Sequence, residues 1–360
     1  MDRRPYALAV SALHILVAVL GLSLLMIVHE GGHYLAARAF KMRVIRFSIG
    51  FGPTLARYRP KDSPTTFVVG AIPLLAYVQI AGMNPYEEVD EDDPGLFQHK
   101  SWFARLVTIA AGPVANYLFA SLVLFAVAAS VGKGHFEATT PTTAGMIEPG
   151  SPAASAGIEP GDVFLRADGK AIHSFEDLVA ATTPKPGQPV AYVIERDGQV
   201  LPPITITPRD DAGVGHIGIA AAGSVTYVPV SIADAAKMAL VEPYEMTVAQ
   251  VKGIAGMVRS GNTEGVAGPV KVGAALASAV DHGPLSVLNL LIIISVALGF
   301  ANLLPIPALD GGRLIFLVYE LVTRRRPAAK VEAAVHMVGF VFLIGMLLLV
   351  TFRDIRDVFG

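Results

Sequence analysis

Four long apolar runs divide this chain, at about Ala9 to Val28, Phe103 to Val131, Leu285 to Leu304 and Val335 to Phe352. Each can cross about 30 Å of hydrocarbon as a helix, which takes roughly twenty residues. Between the first two runs the pattern changes. Val44 to Ile49 and Thr65 to Val69 cluster β-formers around a Gly-Phe-Gly-Pro turn, which predicts a small sheet beside the membrane. From about Thr139 to Gly223 the chain is charged and broken by Gly and Pro, the pattern of a soluble, strand-rich insertion. Within it, Ala167-Asp168-Gly169-Lys170 predicts a hairpin turn, and Ser174 caps a helix that starts at Phe175. Val230 to Ser260 is moderately apolar, but Asp234, Lys237, Glu242, Glu245 and Lys252 interrupt it. That predicts an amphipathic segment on the membrane surface rather than a fifth span.

Composition agrees with a membrane protein. Hydrophobic residues make up 53% and charged residues only 16%, against about 25% charged in soluble domains, and the mean hydropathy is +0.54. The net charge of −2 says nothing about nucleic acid, but the chain has no basic stripe interleaved with aromatics, and no nucleic-acid partner is expected. With no cysteine, disulfides and thiolate metal ligands are excluded, which leaves nitrogen and oxygen donors. Arg3 and Arg4 precede the first run as they would in a signal peptide, but no small-residue cleavage site closes it, so the run reads as retained. Lys and Arg concentrate between the first and second runs, from Arg38 to Arg105, and after the third, from Arg313 to Lys330. Those loops are therefore expected in the cytoplasm, with the insertion outside it.

The chemistry sits where the first run ends, at His29-Glu30-Gly31-Gly32-His33. Residues four apart share a helix face, so His29 and His33 can hold one zinc while Glu30 points at its water. Two imidazoles and a carboxylate are costly in hydrocarbon, and their presence there asks for a functional reason. Far downstream the third run breaks into Asn302-Leu303-Leu304-Pro305-Ile306-Pro307-Ala308-Leu309-Asp310-Gly311-Gly312. Catalytic zinc takes three protein ligands and keeps a fourth position open, and Asp310 is the natural third. Pro305 and Pro307 stop the helix, so that the chain can turn Asp310 toward the first span. Two other classes fit part of this pattern. A zinc transporter needs several sites along a path rather than one three-ligand set, and metal flux in proteoliposomes would reveal it. A noncatalytic scaffold would tolerate loss of Glu30.

On these motifs the chain resembles the site-2 protease family of intramembrane zinc metalloproteases. The matching residues are His29, Glu30 and His33, then Asn302, Pro305, Pro307, Leu309, Asp310 and Gly311. Secondary matches are Phe51-Gly52-Pro53, Gly112-Pro113 with Asn116, and Gly268-Pro269-Val270. Residues 148–164 resemble bacterial PDZ domains, and Ile217-Gly218-Ile219 would be the carboxylate loop. Only one such domain fits, where the sigma-E regulator branch of the family carries two.

The resemblance implies a polytopic α-helical membrane protein with a membrane-associated β-hairpin or sheet and an inserted α+β PDZ domain. Its parts are a first span with the zinc motif (1–42), a β-rich membrane-associated loop (43–100) and a second span (101–132). The PDZ-like domain (138–223), an extracytoplasmic amphipathic linker (224–284), a third segment with the third ligand (285–332) and a fourth span (333–360) follow. It also implies a Zn2+ cofactor and the bilayer of the cell inner membrane as setting, with the active site toward the cytoplasm. Substrates would be single-span proteins of anti-sigma factor or signal-peptide type. Phe67, Val68 and Val69 would form an edge strand that clamps the substrate, or the sheet is a cytoplasmic cap. Asn302 either binds substrate backbone or holds the broken helix together. The insertion either binds a peptide C-terminus or excludes bulky ectodomains. His14 reads as a packed or hydrogen-bonded histidine, and Asn116 as part of a tight helix crossing.

Overall fold

The computed structural model describes residues 11–84, 87–138, 142–148, 150–211, 213–260 and 267–359. Arg3, Arg4, Ala9 and Thr139, on which parts of the orientation and boundary expectations rest, lie outside them. The order is α1 (Ala12–Ala39), β1 (Val44–Tyr58), β2 (Thr66–Ile80) and α2 (Trp102–Ser130), then the insertion. The insertion runs through β3 (Lys133–Ala138), β4 (Ala144–Ile147), α3 (Pro152–Ser155), β5 (Val163–Ala167), β6 (Lys170–Ala171), α4 (Phe175–Thr182) and β7 (Val190–Arg196). It continues with β8 (Gln199–Val200), β9 (Ile204–Ile206), β10 (Arg209–Asp211), β11 (Val214–His216), β12 (Ile219–Ala221) and β13 (Gly223–Val228). Five helices close the chain: α5 (Ile232–Ser260), α6 (Pro269–Asp281), α7 (Pro284–Leu303), α8 (Asp310–Thr323) and α9 (Ala329–Phe359). Two compact units result, one of Met1–Val127, Ala233–Gln250 and Val266–Gly360, the other of Ala128–Ile232 and Val251–Gly265.

In the first unit, α1, α2, α7 and residues Lys330–Arg356 of α9 are the described helices long and apolar enough to cross a membrane. They are the four expected runs, and α5 is not among them. Small residues set the helix spacing. Gly21 of α1 lets Leu276 of α6 and Leu291 of α7 approach to 3.0 and 3.1 Å of the place a Cβ would take. Ala120 and Leu124 of α2 pack on Ile292 and Val296 of α7, and Ser295 Oγ donates to Asn116 O at 2.9 Å. Outward-facing Leu16, Leu118, Leu122, Phe342 and Leu349 are mostly exposed, which suits lipid and would be a liability in water. His14 pairs with Asp281 at 2.8 Å, in keeping with a hydrogen-bonded role.

Between α1 and α2, β1 and β2 are two bent strands that fold over each other. Residues 44–49 lie between 66–69 and 76–80, and residues 66–70 lie between 46–49 and 54–58. The strand at Phe67, Val68 and Val69 is therefore interior, paired with residues 47–49 on one side and 56–58 on the other. This corrects the expected edge. An interior strand has both rows of backbone hydrogen bonds filled and cannot accept another strand. Residues 54–58 and 76–80 are the two edges, each with no strand on its outer side among the described residues.

The second unit is α+β, with Phe164, Tyr192, Ile194, Val190 and Leu178 at the centre of its core. Asp168 and Gly169 both take positive φ, as a tight hairpin turn requires, and Ser174 Oγ accepts from Asp177 N–H at 3.1 Å. The unit also reaches beyond the expected 138–223, because β3 pairs with β13 from Lys133↔Val228 to Ala138↔Gly223. The linker 224–284 accordingly starts within a strand, and most of the rest is helical in α5 and α6.

Asp162 is fully buried, and Arg196 donates to its two oxygens at 2.6 and 2.7 Å. Burial pushes this carboxyl up, but Arg196 and the Glu159 N–H outweigh it and hold the group below its ordinary value. The stabilisation is complete above the unfolded value and is lost as pH falls through the lower folded one. Arg196→Gln, which strands a buried carboxylate, is expected to destabilise this unit by about 3 kcal/mol. Limited proteolysis checks this, and cleavage at the wild-type rate would contradict it.

Candidate metal centre

Helical spacing puts His29 and His33 on one face of α1, both buried. Their Nε2 atoms lie 3.3 Å apart. The third group arrives from the break after α7. The chain leaves that helix at Leu304, passes Pro305 and Pro307, and re-enters helix at Asp310. The return is tight, since a Cβ on Gly311 would sit 2.1 Å from Leu304 O and one on Gly312 2.5 Å from Ile306 O. Ala308 is held at φ 79°, a conformation a residue with a side chain adopts reluctantly. Its N–H donates to His336 Nδ1 of α9 at 2.8 Å.

That turn delivers Asp310 Oδ2 to 3.2 Å from both His29 Nε2 and His33 Nε2. The three atoms form a nearly equilateral triangle with edges of 3.2, 3.2 and 3.3 Å. A tetrahedral zinc with ligands at about 2.0–2.1 Å has ligand-to-ligand edges of about 3.3–3.4 Å. Asp310 Oδ2 is buried and receives no well-directed hydrogen bond. Three donor atoms converging at tetrahedral spacing, with the buried carboxylate oxygen unpartnered, are how ligands to one divalent ion are arranged, so the residues fit zinc. They are also the described His and acidic residues grouped closely enough to hold a metal.

The outer nitrogens of both rings are engaged. His33 Nδ1 donates to Thr108 O at 2.8 Å, which fixes the tautomer that leaves Nε2 free for metal. His29 Nδ1 lies 3.1 Å from the Asn116 side-chain amide, whose Oδ1 is buried without a partner. Turning that amide over lets Nδ1–H donate to Oδ1 and satisfies both groups. Asn116 thus orients one of the three converging side chains, a contact beyond the helix crossing that the sequence suggested. Asn116→Leu is expected to weaken zinc binding about 10–100-fold by chelator competition, and unchanged affinity would remove this role.

Glu30 lies beside the ligands, where its Oε2 accepts from Val78 N–H at 2.9 Å. The outer side of residues 76–80 therefore faces the metal group. Asn302 is the next-to-last residue of α7 and donates from Nδ2 to Leu298 O, one turn back, at 3.0 Å. That bond favours the role of holding the helix end. Phe67 packs edge-on against Tyr34, and Val68 is buried.

The model of peptidase family M50 matches residues 17–346, which include both metal motifs. The chain belongs to this family. Metalloprotease MmpA of Caulobacter vibrioides is 34% identical over 94% of this chain and 94% of its own length. A candidate zinc metalloprotease of Agrobacterium fabrum is 31% identical over 95% of both chains. One of Nostoc is 32% identical over 92% of this chain and 93% of its own. This M50 peptidase is accordingly a zinc metalloprotease of the site-2 protease type, with several apolar helices suited to a bilayer.

Proposed function

We propose that this protease cleaves transmembrane segments of single-span proteins, with His29, His33 and Asp310 as zinc ligands and Glu30 as general acid–base. The observation that carries the proposal is the triangle of donor atoms at the end of a membrane-length helix, with a carboxylate next to it. A zinc held by His29, His33 and Asp310 would polarise a carbonyl and lower the pKa of water toward about 7. Glu30, its Oε2 anchored by Val78 N–H, accepts the proton of the attacking water and delivers it to the leaving nitrogen. The peptide bonds of a helical substrate are occupied internally. The outer edge of residues 76–80, next to Glu30, supplies hydrogen bonds to a stretch that unwinds.

The Lys and Arg distribution supports a cytoplasmic metal end and an extracytoplasmic inserted unit, in a bacterial inner membrane. In that unit a groove of about 330 Å³ runs along Leu178, Val179 and Thr182 of α4, with Ile217, Gly218 and Ile219 on its other side. A groove between a helix and a strand favours the PDZ-type, peptide-binding reading over a simple size barrier. Anti-sigma factors and remnant signal peptides are the substrate classes proposed. The test is co-expression of wild type or Glu30→Gln with a tagged library of single-span proteins. Substrates should be shortened by the wild type alone, and identical fragment patterns would overturn the proposal.

A further inference from the structure

Beside the proposed metal loop, and using none of the proposed ligands, lies a cavity of about 650 Å³ walled by α2, α8, the start of α9 and residues 82–84 and 97–99. Its lining includes three guanidiniums, Arg105, Arg313 and Arg326, against two carboxylates, Glu320 and Glu332. The arginines are not all matched. Glu320 Oε1 accepts from Arg105 Nη2 at 2.6 Å and from Arg326 Nε at 3.2 Å, so one oxygen serves two cations. Arg326 Nη1 also donates to Gln98 O at 2.7 Å. Arg105 is buried and its Nε has no acceptor. Arg313 makes no hydrogen bond or ion pair among the described residues, and feels Glu332 and Asp310 only at longer range. Unmatched guanidinium donors in a half-buried setting are costly, and an anion relieves that cost.

The rest of the lining is apolar and reaches lipid. Phe316 and Leu317 come from α8, Met337 and Phe340 from α9. Met337 is 58% and Phe340 54% exposed, on the least covered of the four membrane-length helices. The cavity therefore joins a cationic interior to a hydrocarbon-facing wall at the membrane boundary. Basic pockets between membrane helices suit anionic headgroups. We propose that this cavity binds an anionic phospholipid, its phosphodiester on Arg313 and Arg105 Nε within reach of the Arg326 charge, and an acyl chain along Met337 and Phe340. An inorganic phosphate would use the guanidiniums and leave the apolar wall idle, which favours the lipid as the source of the phosphate. The bound lipid would brace α9 against α8 next to Ala308, which shares the cavity lining and precedes Asp310 by two residues.

Native mass spectrometry of the full-length detergent-solubilised protein tests this without any substrate, so the outcome is independent of the protease reading. Phosphatidylglycerol is titrated against phosphatidylcholine. One phosphatidylglycerol per chain should be retained in preference. Arg313→Gln and Arg326→Gln should each lower its retention about fivefold, the effect of one cation near an anionic head. Arg324→Gln, exposed and outside the cavity, should leave it unchanged. Equal losses from all three variants would mean general surface attraction, and undiminished retention in Arg313→Gln and Arg326→Gln would mean no site. Either result overturns the proposal. Displacement of the lipid by excess inorganic phosphate would assign the cavity to free phosphate and overturn the lipid. Persistence of the adduct in that phosphate supports it.

Discussion

Glu30→Gln is expected to keep one zinc per chain and to lower cleavage by about two to four orders of magnitude, the usual contribution of a general acid–base. The amide has the carboxylate's shape and its oxygen can still accept from Val78 N–H, so the contact between α1 and the edge at residues 76–80 survives. What it cannot do is take a proton. The three metal-facing atoms belong to His29, His33 and Asp310, none of which the substitution touches. Turnover of a tagged single-span substrate, read with zinc content on the same sample, separates the outcomes. Normal cleavage would remove Glu30 from the chemistry, and loss of zinc would make it structural.

Gly112→Ala is expected to abolish the metal site from the neighbouring helix. A Cβ there would lie 2.2 Å from His33 Nε2 and 2.6 Å from Cε1, far inside contact distance. The ring cannot swing away without losing its bond to Thr108 O. α2 could make room only by giving up its close packing on α1, where a Cβ at Gly32 would be 2.1 Å from Ala111 O. The clash falls on an atom of the proposed metal triad, so zinc affinity should fall at least about a hundredfold, at or beyond the top of the range for losing a ligand's outer support. Gly31→Ala is the control, since a Cβ at Gly31 meets nothing within 4 Å. Chelator competition on both variants checks the pair. Equal zinc retention would mean that α1 and α2 are not held this closely.

Much of this architecture was legible in the sequence because its causes are local. A run of some twenty apolar residues announces a span, and two histidines four apart declare a shared face once the helix is granted. Asp310 was legible for a different reason: a carboxylate behind two prolines, at the end of an apolar run, has few uses besides function. The edge proposed to meet the substrate was not legible. Residues 66–69 and 76–80 both carry β-forming residues, and only the fold-back of two bent strands makes the first interior and leaves the second bare on one side. The roles of Asn116 and His336 were hidden likewise, since each depends on which helix lies beside which. Asn116 at least stood in a recognisable Gly112-Pro113 context, whereas His336 carried no local signal. The strands at 133–138 and 223–228 were missed because each is short and their pairing bridges the whole insertion.

The central claim is that one zinc is held jointly by α1 and the start of α8. Metal analysis of purified wild type and Asp310→Ala addresses it most directly. One zinc per chain in the wild type and close to none in Asp310→Ala is the predicted result. Full zinc occupancy in Asp310→Ala would contradict it.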